Sequence, residues 1–163
     1  MTLVQTSLIL ASLLLAWRDH PSAGRTAEPE ACALLTEMEV SAALEIKSLP
    51  GKRTVASSPR SCMWSDDPKI GVDHRRVTLG LTSISAFNGG KSFTGRITIE
   101  PAAGIGDDAY YEIFKSESPF LVARKGNVVI NIRILNGLKL KGFTLEQEKA
   151  KEAELAKAAL AKL

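Results

Sequence analysis

Apolar and polar residues alternate over Val77, Leu79 and Leu81, with Thr78, Gly80 and Thr82 between and after them. That period of two marks a strand buried on one face. A longer signal follows. Pro119 to Lys125 and Val128 to Leu135 are β-rich runs that flank Gly126-Asn127. Glycine first in a two-residue loop fits a type II′ hairpin turn. That turn pairs Lys125 with Val128, Ala123 with Ile130 and Leu121 with Ile132, which places these residues on one aliphatic face. Phe120, Val122 and Arg124 fall on the other, beside Val129, Asn131 and Arg133. One packed face and one mixed face suit an antiparallel sheet with a solvated side. Shorter extended pieces are predicted at Ser61 to Ser65, where Cys62 and Trp64 share a face, and at Ile97 to Pro101; a tight turn at Gly104 to Ala109 leads into Tyr110 to Lys115.

Two helices are predicted from capping boxes, in which a threonine caps and a residue three positions on reaches back. Thr36 with Glu39 starts a helix that runs over Met38 to Leu44. Thr144 with Gln147 starts one that runs from Leu145 to Leu163, with Leu145, Ala153, Ala156, Leu160 and Leu163 along one side. Ser85 to Ser92 reads as a loop that holds Phe87 and the turn Asn88-Gly89-Gly90. Leu49 to Arg60 and Asp66 to Arg76 read as exposed loops. Short strands, one hairpin and helices set at the two ends predict an α+β fold. The expected form is a four- or five-stranded, mainly antiparallel sheet with both helices on one face.

Ahead of this pattern lies a different one. Leu3 to Ala16 is leucine-rich and uncharged, and Trp17 to Pro21 breaks it before the small residues Ser22-Ala23-Gly24. The run is shorter than the roughly 20 residues that span a bilayer but suits the core of a signal peptide. A surface helix would be amphipathic, and this one is not. No Lys or Arg opens the segment. Residues 1–24 are therefore read as a signal peptide, 25–31 as a polar lead-in and 32–163 as one domain. The mature chain is expected to be periplasmic or extracellular, with no transmembrane span. A lipid anchor is not expected, because Cys32 lies well past the apolar run and follows Pro29-Glu30-Ala31.

The net charge is +3, and removing residues 1–24 takes away one base and one acid. So mild a charge is not the footprint of a nucleic-acid binder. Two cysteines in an exported chain, Cys32 and Cys62, predict one disulfide; two buried thiols are the alternative. Beyond them only His20 and His74 offer soft metal ligands, so no metal or cofactor is expected.

With these elements placed, a set of motifs stands out in order. They are Cys32-Ala33-Leu34-Leu35-Thr36, Glu39-Val40 with Ala42-Ala43-Leu44, Cys62-Met63-Trp64, Gly104-Ile105-Gly106-Asp107-Asp108-Ala109-Tyr110, and Arg124-Lys125-Gly126-Asn127. As an ordered set they resemble a family of small exported bacterial proteins of unknown function, many of them actinobacterial lipoproteins. The resemblance spans about residues 31–163. Members often carry glycine where Glu45 stands here, and a lipobox that this chain lacks. The resemblance implies a fold and an envelope location and no activity.

Candidate chemistry is sparse. Gly104 to Asp108 is too short for a phosphate loop and too poor in alternating carboxylates for calcium. It reads as a turn in which Asp107 or Asp108 bonds local backbone N–H groups. Asp73-His74-Arg75-Arg76 reads as a solvated loop, and no Gly-x-Ser-x-Gly elbow appears. The expected function is a non-catalytic envelope module that binds a protein partner or small ligand. Phe120, Arg124, Asn131 and Arg133 form its candidate surface, suited to an anionic partner. The alternative is a small periplasmic hydrolase that joins His74 to Asp107 or Asp108.

Overall fold

A computed structural model describes residues 29–68, 73–115, 117–137 and 141–163. The expected signal peptide, 1–24, and most of the expected lead-in lie outside the described residues. Ala31, at the end of that lead-in, is already fully buried.

Seven strands form one antiparallel sheet: β1 (Lys52–Arg53), β2 (Ser61–Ser65), β3 (Arg76–Thr82), β4 (Ile97–Pro101), β5 (Asp108–Phe114), β6 (Phe120–Lys125) and β7 (Val128–Leu135). Their spatial order is β1-β2-β3-β7-β6-β5-β4. The fold class is α+β as the pattern predicts, and four or five strands understate the sheet. The shortfall comes from weak signals. β1 is two exposed residues inside a loop rich in proline and serine, recognisable only by its pairing with Met63 and Cys62. β4 and β5 carry little alternation.

The hairpin adopts the predicted register: Leu121 opposite Ile132, Ala123 opposite Ile130, Lys125 opposite Val128. Gly126 has φ 57°, the left-handed backbone that the first turn position requires. β7 then pairs on its other side with β3, Val77 opposite Ile134 and Leu81 opposite Ile130.

Three α-helices accompany the sheet. α1 (Glu37–Leu44) and α3 (Leu145–Ala161) start at the predicted capping boxes, Thr36 with Glu39 and Thr144 with Gln147. Both cover the aliphatic face, where Leu79, Leu121, Ile130, Ile132 and Ile134 meet Val40, Leu44, Leu155 and Leu160. α1 closes on Glu45 at φ 57°. This is the left-handed cap position that glycine fills most easily, which gives a physical reason for glycine to suit it. Cys32 and Cys62 form the disulfide, with Cα atoms 5.0 Å apart. It ties a short 3₁₀ turn (Ala31–Ala33) to β2 beside the buried Trp64.

The inward stripe of α3 differs from the expected one. Leu145 and Leu163 are 41% and 38% exposed, while Glu148 and Glu152 are buried with Leu155, Ala156, Ala159 and Leu160. The reason lies at the start of β6. There the β6–β7 ladder stops at Leu121 and Ile132, and the Ile134 N–H lies past that last pair. Glu152 Oε1 accepts that N–H at 2.9 Å. Glu148 accepts from Ser118 and Asn136. The two acids satisfy backbone and side-chain donors where the ladder stops.

The segment read as a loop at Ser85 to Ser92 is instead α2 (Ile84–Lys91). The Ser83 hydroxyl accepts the Ala86 N–H at 3.1 Å and caps it. Phe87 then buries against Tyr110, Val122 and Val129. Packing of that ring holds a helix that Asn88-Gly89-Gly90 alone would not sustain.

Candidate functional site

The register of the strands lays out the face away from α1 and α3 as a grid. One row runs Gly80, Asn131, Val122, Tyr110. The next runs Thr78, Arg133, Phe120, Glu112. α2 lies over one end of this grid, held by Phe87 and by the Lys91–Asp108 ion pair at 2.6 Å. Beside the helix a cleft of about 330 Å³ opens, lined by Thr82, Ala86, Phe87, Tyr110, Glu112, Phe120, Val122 and Asn131.

Its shape depends on two glycines. A Cβ on Gly80 would lie 2.5 Å from Asn131 Oδ1, so the bare backbone of β3 makes room for that amide. A Cβ on Gly90 would lie 2.3 Å from the Tyr110 hydroxyl and 2.9 Å from Glu112 Oε1, so α2 can sit low on the sheet only because its last turn lacks a side chain there. Tyr110 donates to the Phe87 carbonyl at 3.1 Å and its ring meets Phe87 at 5.1 Å between centroids. Burial, with the nearby Glu112 charge, pushes the Tyr110 hydroxyl up to about 12, so it stays a neutral donor. Burial also raises the Glu112 carboxyl, and the Tyr110 hydroxyl partly offsets this. Asn131 has no hydrogen-bond partner for its side chain among the described residues.

The four residues of the predicted surface share the outer face of β6 and β7, but only two of them line the cleft. Phe120 and Asn131 line the cleft. Arg124 lies outside it, its guanidinium 6.0 Å from the Phe87 ring centre. Arg133 is taken up by Glu117 at 2.7 Å. The cleft thus carries an acid and an amide where a basic patch was expected. α2 escaped the sequence because it shows no periodicity, and Glu112 was not singled out. Alternation within Asp108, Tyr110 and Glu112 was the available clue.

The residues of the alternative hydrolase are not brought together. His74 Nδ1 is 3.1 Å from Asp66, and Nε2 is 3.7 Å from Asp67. The Asp73–His74 backbone lies against Gly137, just beyond β7. Asp107 instead accepts the Gly126 N–H at 2.7 Å, at the opposite end of β7. A strand of this length spans about 25 Å. Asp108 faces Lys91. The turn role expected for Gly104 to Asp108 is present, but its carboxylate holds a distant backbone rather than a local one. Asp107 N–H also donates to the Arg124 carbonyl at 2.7 Å, and Gly106, at φ 59°, leaves room for it. Among the described residues no group of three His, Cys, Asp or Glu is placed to hold a metal ion.

No family model, no curated protein and no solved structure matches this chain.

Proposed function

We propose that this protein is an exported, non-catalytic binding module of the cell envelope, and that its seat is the cleft between α2 and the mixed face of the sheet. The observation that carries this reading is the cleft itself. It is half-enclosed, flanked by Phe87 and Phe120, and holds an Asn131 amide with no protein partner among the described residues. A few convergent polar groups on an apolar, preformed concavity are the usual anatomy of a ligand site. The envelope location is supported by the Cys32–Cys62 bridge, since such bonds persist in oxidising compartments. Among the described residues no helix is long and apolar enough to cross a membrane. The family of small exported bacterial proteins that the motifs resemble remains part of the same proposal.

Hydrolysis by His74 with Asp107 or Asp108 draws no support from the geometry, because the groups lie at opposite ends of β7. A fragment screen by amide chemical shifts tests the binding reading. Shifts should cluster at Thr82, Ala86, Tyr110 and Asn131, and Asn131→Leu with Phe120→Ser should abolish them. Responses confined to residues outside the cleft, or none at all, would remove the cleft as the seat.

A further inference from the structure

Among the described residues, no base pairs with Glu112, the acid of this cleft. The cations on the same face are engaged elsewhere: Lys91 with Asp108 at 2.6 Å, Arg133 with Glu117 at 2.7 Å, and Arg124 near the Phe87 ring. What surrounds the Glu112 carboxyl is burial and the Tyr110 hydroxyl. Taking a carboxylate partly out of water without a counter-charge is costly. The cost is recovered when a cation arrives.

A second feature points the same way. α2 ends over this spot. The Phe87 carbonyl, in its last turns, already takes the Tyr110 hydroxyl, and Gly90 lies within contact of both Tyr110 Oη and Glu112 Oε1. The carbonyl end of a helix carries partial negative charge and favours a cation. Two independent sources of negative potential therefore converge on one corner of the cleft. Beside that corner stand the half-buried Phe120 ring and, one row on, the Asn131 amide.

We infer that the cleft receives a small organic cation, a primary ammonium carried on a flat aromatic body. Glu112 is its counter-ion, and Phe120, paired opposite it on β6, is its platform. An ammonium has three donors and no acceptor, which fits the Glu112 carboxylate. An aromatic face adds cation–π attraction once water is excluded. A carboxylate ligand would meet Glu112 and the helix end with like charge, and a neutral one would leave the carboxyl unpaired. The inference rests on the binding-module reading and assigns that site its ligand class.

The test is an amide chemical-shift titration of the disulfide-bonded protein with benzylammonium, benzyl alcohol and benzoate in turn. Benzylammonium should move Thr82, Ala86, Glu112 and Asn131, and should bind roughly tenfold more tightly than the alcohol, the scale of one hydrogen bond to a charged group. Benzoate should move none of them. Glu112→Gln should erase the tenfold preference. The ammonium-to-alcohol ratio in the unsubstituted protein decides the point even if that variant folds poorly. Equal binding of ammonium and alcohol overturns the cation assignment and leaves the cleft as a binding seat. No cleft response to any of the three overturns both.

Discussion

Burial pushes the Glu152 carboxyl up to about 9, with Glu148 adding to the rise and the Ile134 N–H and Arg133 opposing it. The folded protein therefore keeps a proton that the unfolded chain gives up near the ordinary glutamate range. Between those two values the native state binds more protons, so stability falls as pH rises. The contribution is fully present in acid and is lost as pH climbs toward 9. Glu152→Gln keeps an oxygen for the Ile134 N–H and removes the titration. Urea unfolding at pH 5, 7 and 8.5 should show the variant gaining on the parent protein by up to about 1.4 kcal/mol per pH unit. An unchanged difference across that range would mean Glu152 is charged in the folded state. Nothing in the sequence marks this residue as buried. Glu148 and Glu152 stand four apart among strong helix formers and read as part of a solvated face. Only the end of the β6–β7 ladder turns them inward.

At the level of elements, legibility follows signal strength. The hairpin was readable to its register because Gly126-Asn127 fixes the turn and β-branched residues crowd both strands. α1 and α3 were readable because each begins with a reciprocal cap. α2 was not, because its local preferences oppose a helix and its support comes from Phe87 reaching residues on β5, β6 and β7. The candidate site inherits that blind spot. Phe120 and Asn131 were visible as the outer face of the hairpin, whereas Glu112 and the wall that makes a cleft depend on α2. The same dependence yields a sharp expectation. Gly90→Ala would add helix propensity, yet its methyl must displace the Tyr110 hydroxyl or lift the helix. Overpacking of that kind costs about 1–3 kcal/mol, against roughly 1 kcal/mol gained from propensity. Thermal unfolding should show a net loss, together with shifted amides at Phe87 and Tyr110. A stabilised variant with those amides unmoved would show that α2 does not sit as low as described.

For the molecule as a whole, the disulfide fastens the part of the chain least anchored by the central strands. Cys32 and Cys62 are 30 residues apart, and the exposed loop between α1 and β2 lies within the closed ring. Gly51 lies against Trp64 and the Cys62 sulfur, so the loop, the indole and the bridge pack as one unit. Cys62→Ser should cost roughly 2–4 kcal/mol under oxidising conditions. Reducing the parent protein should cost a similar amount, both measured by denaturant unfolding. A reduced protein as stable as the oxidised one would assign the stability of this end to packing alone. The existence of the pair was legible from two cysteines behind an apolar N-terminal run. The helix-covered face was legible from alternation. The sheet's full width was not, because its outermost strand on this side is two residues long.

The placement of β7 between β3 and β6 has a consequence in time. β3 finds its partner on one side only after more than forty further residues, in the strand that closes the hairpin. A chain made from its N-terminus therefore presents Trp64, Val77 and Leu79 before the surface that will cover them exists. The two cysteines, by contrast, are both complete by residue 62. Their bond can form while the sheet is still unmade, and it then confines the waiting segment to a closed ring. The hairpin that arrives last folds on its own through contacts a few residues apart. Its docking against β3 joins residues more than forty apart, the kind of long-range contact that slows folding.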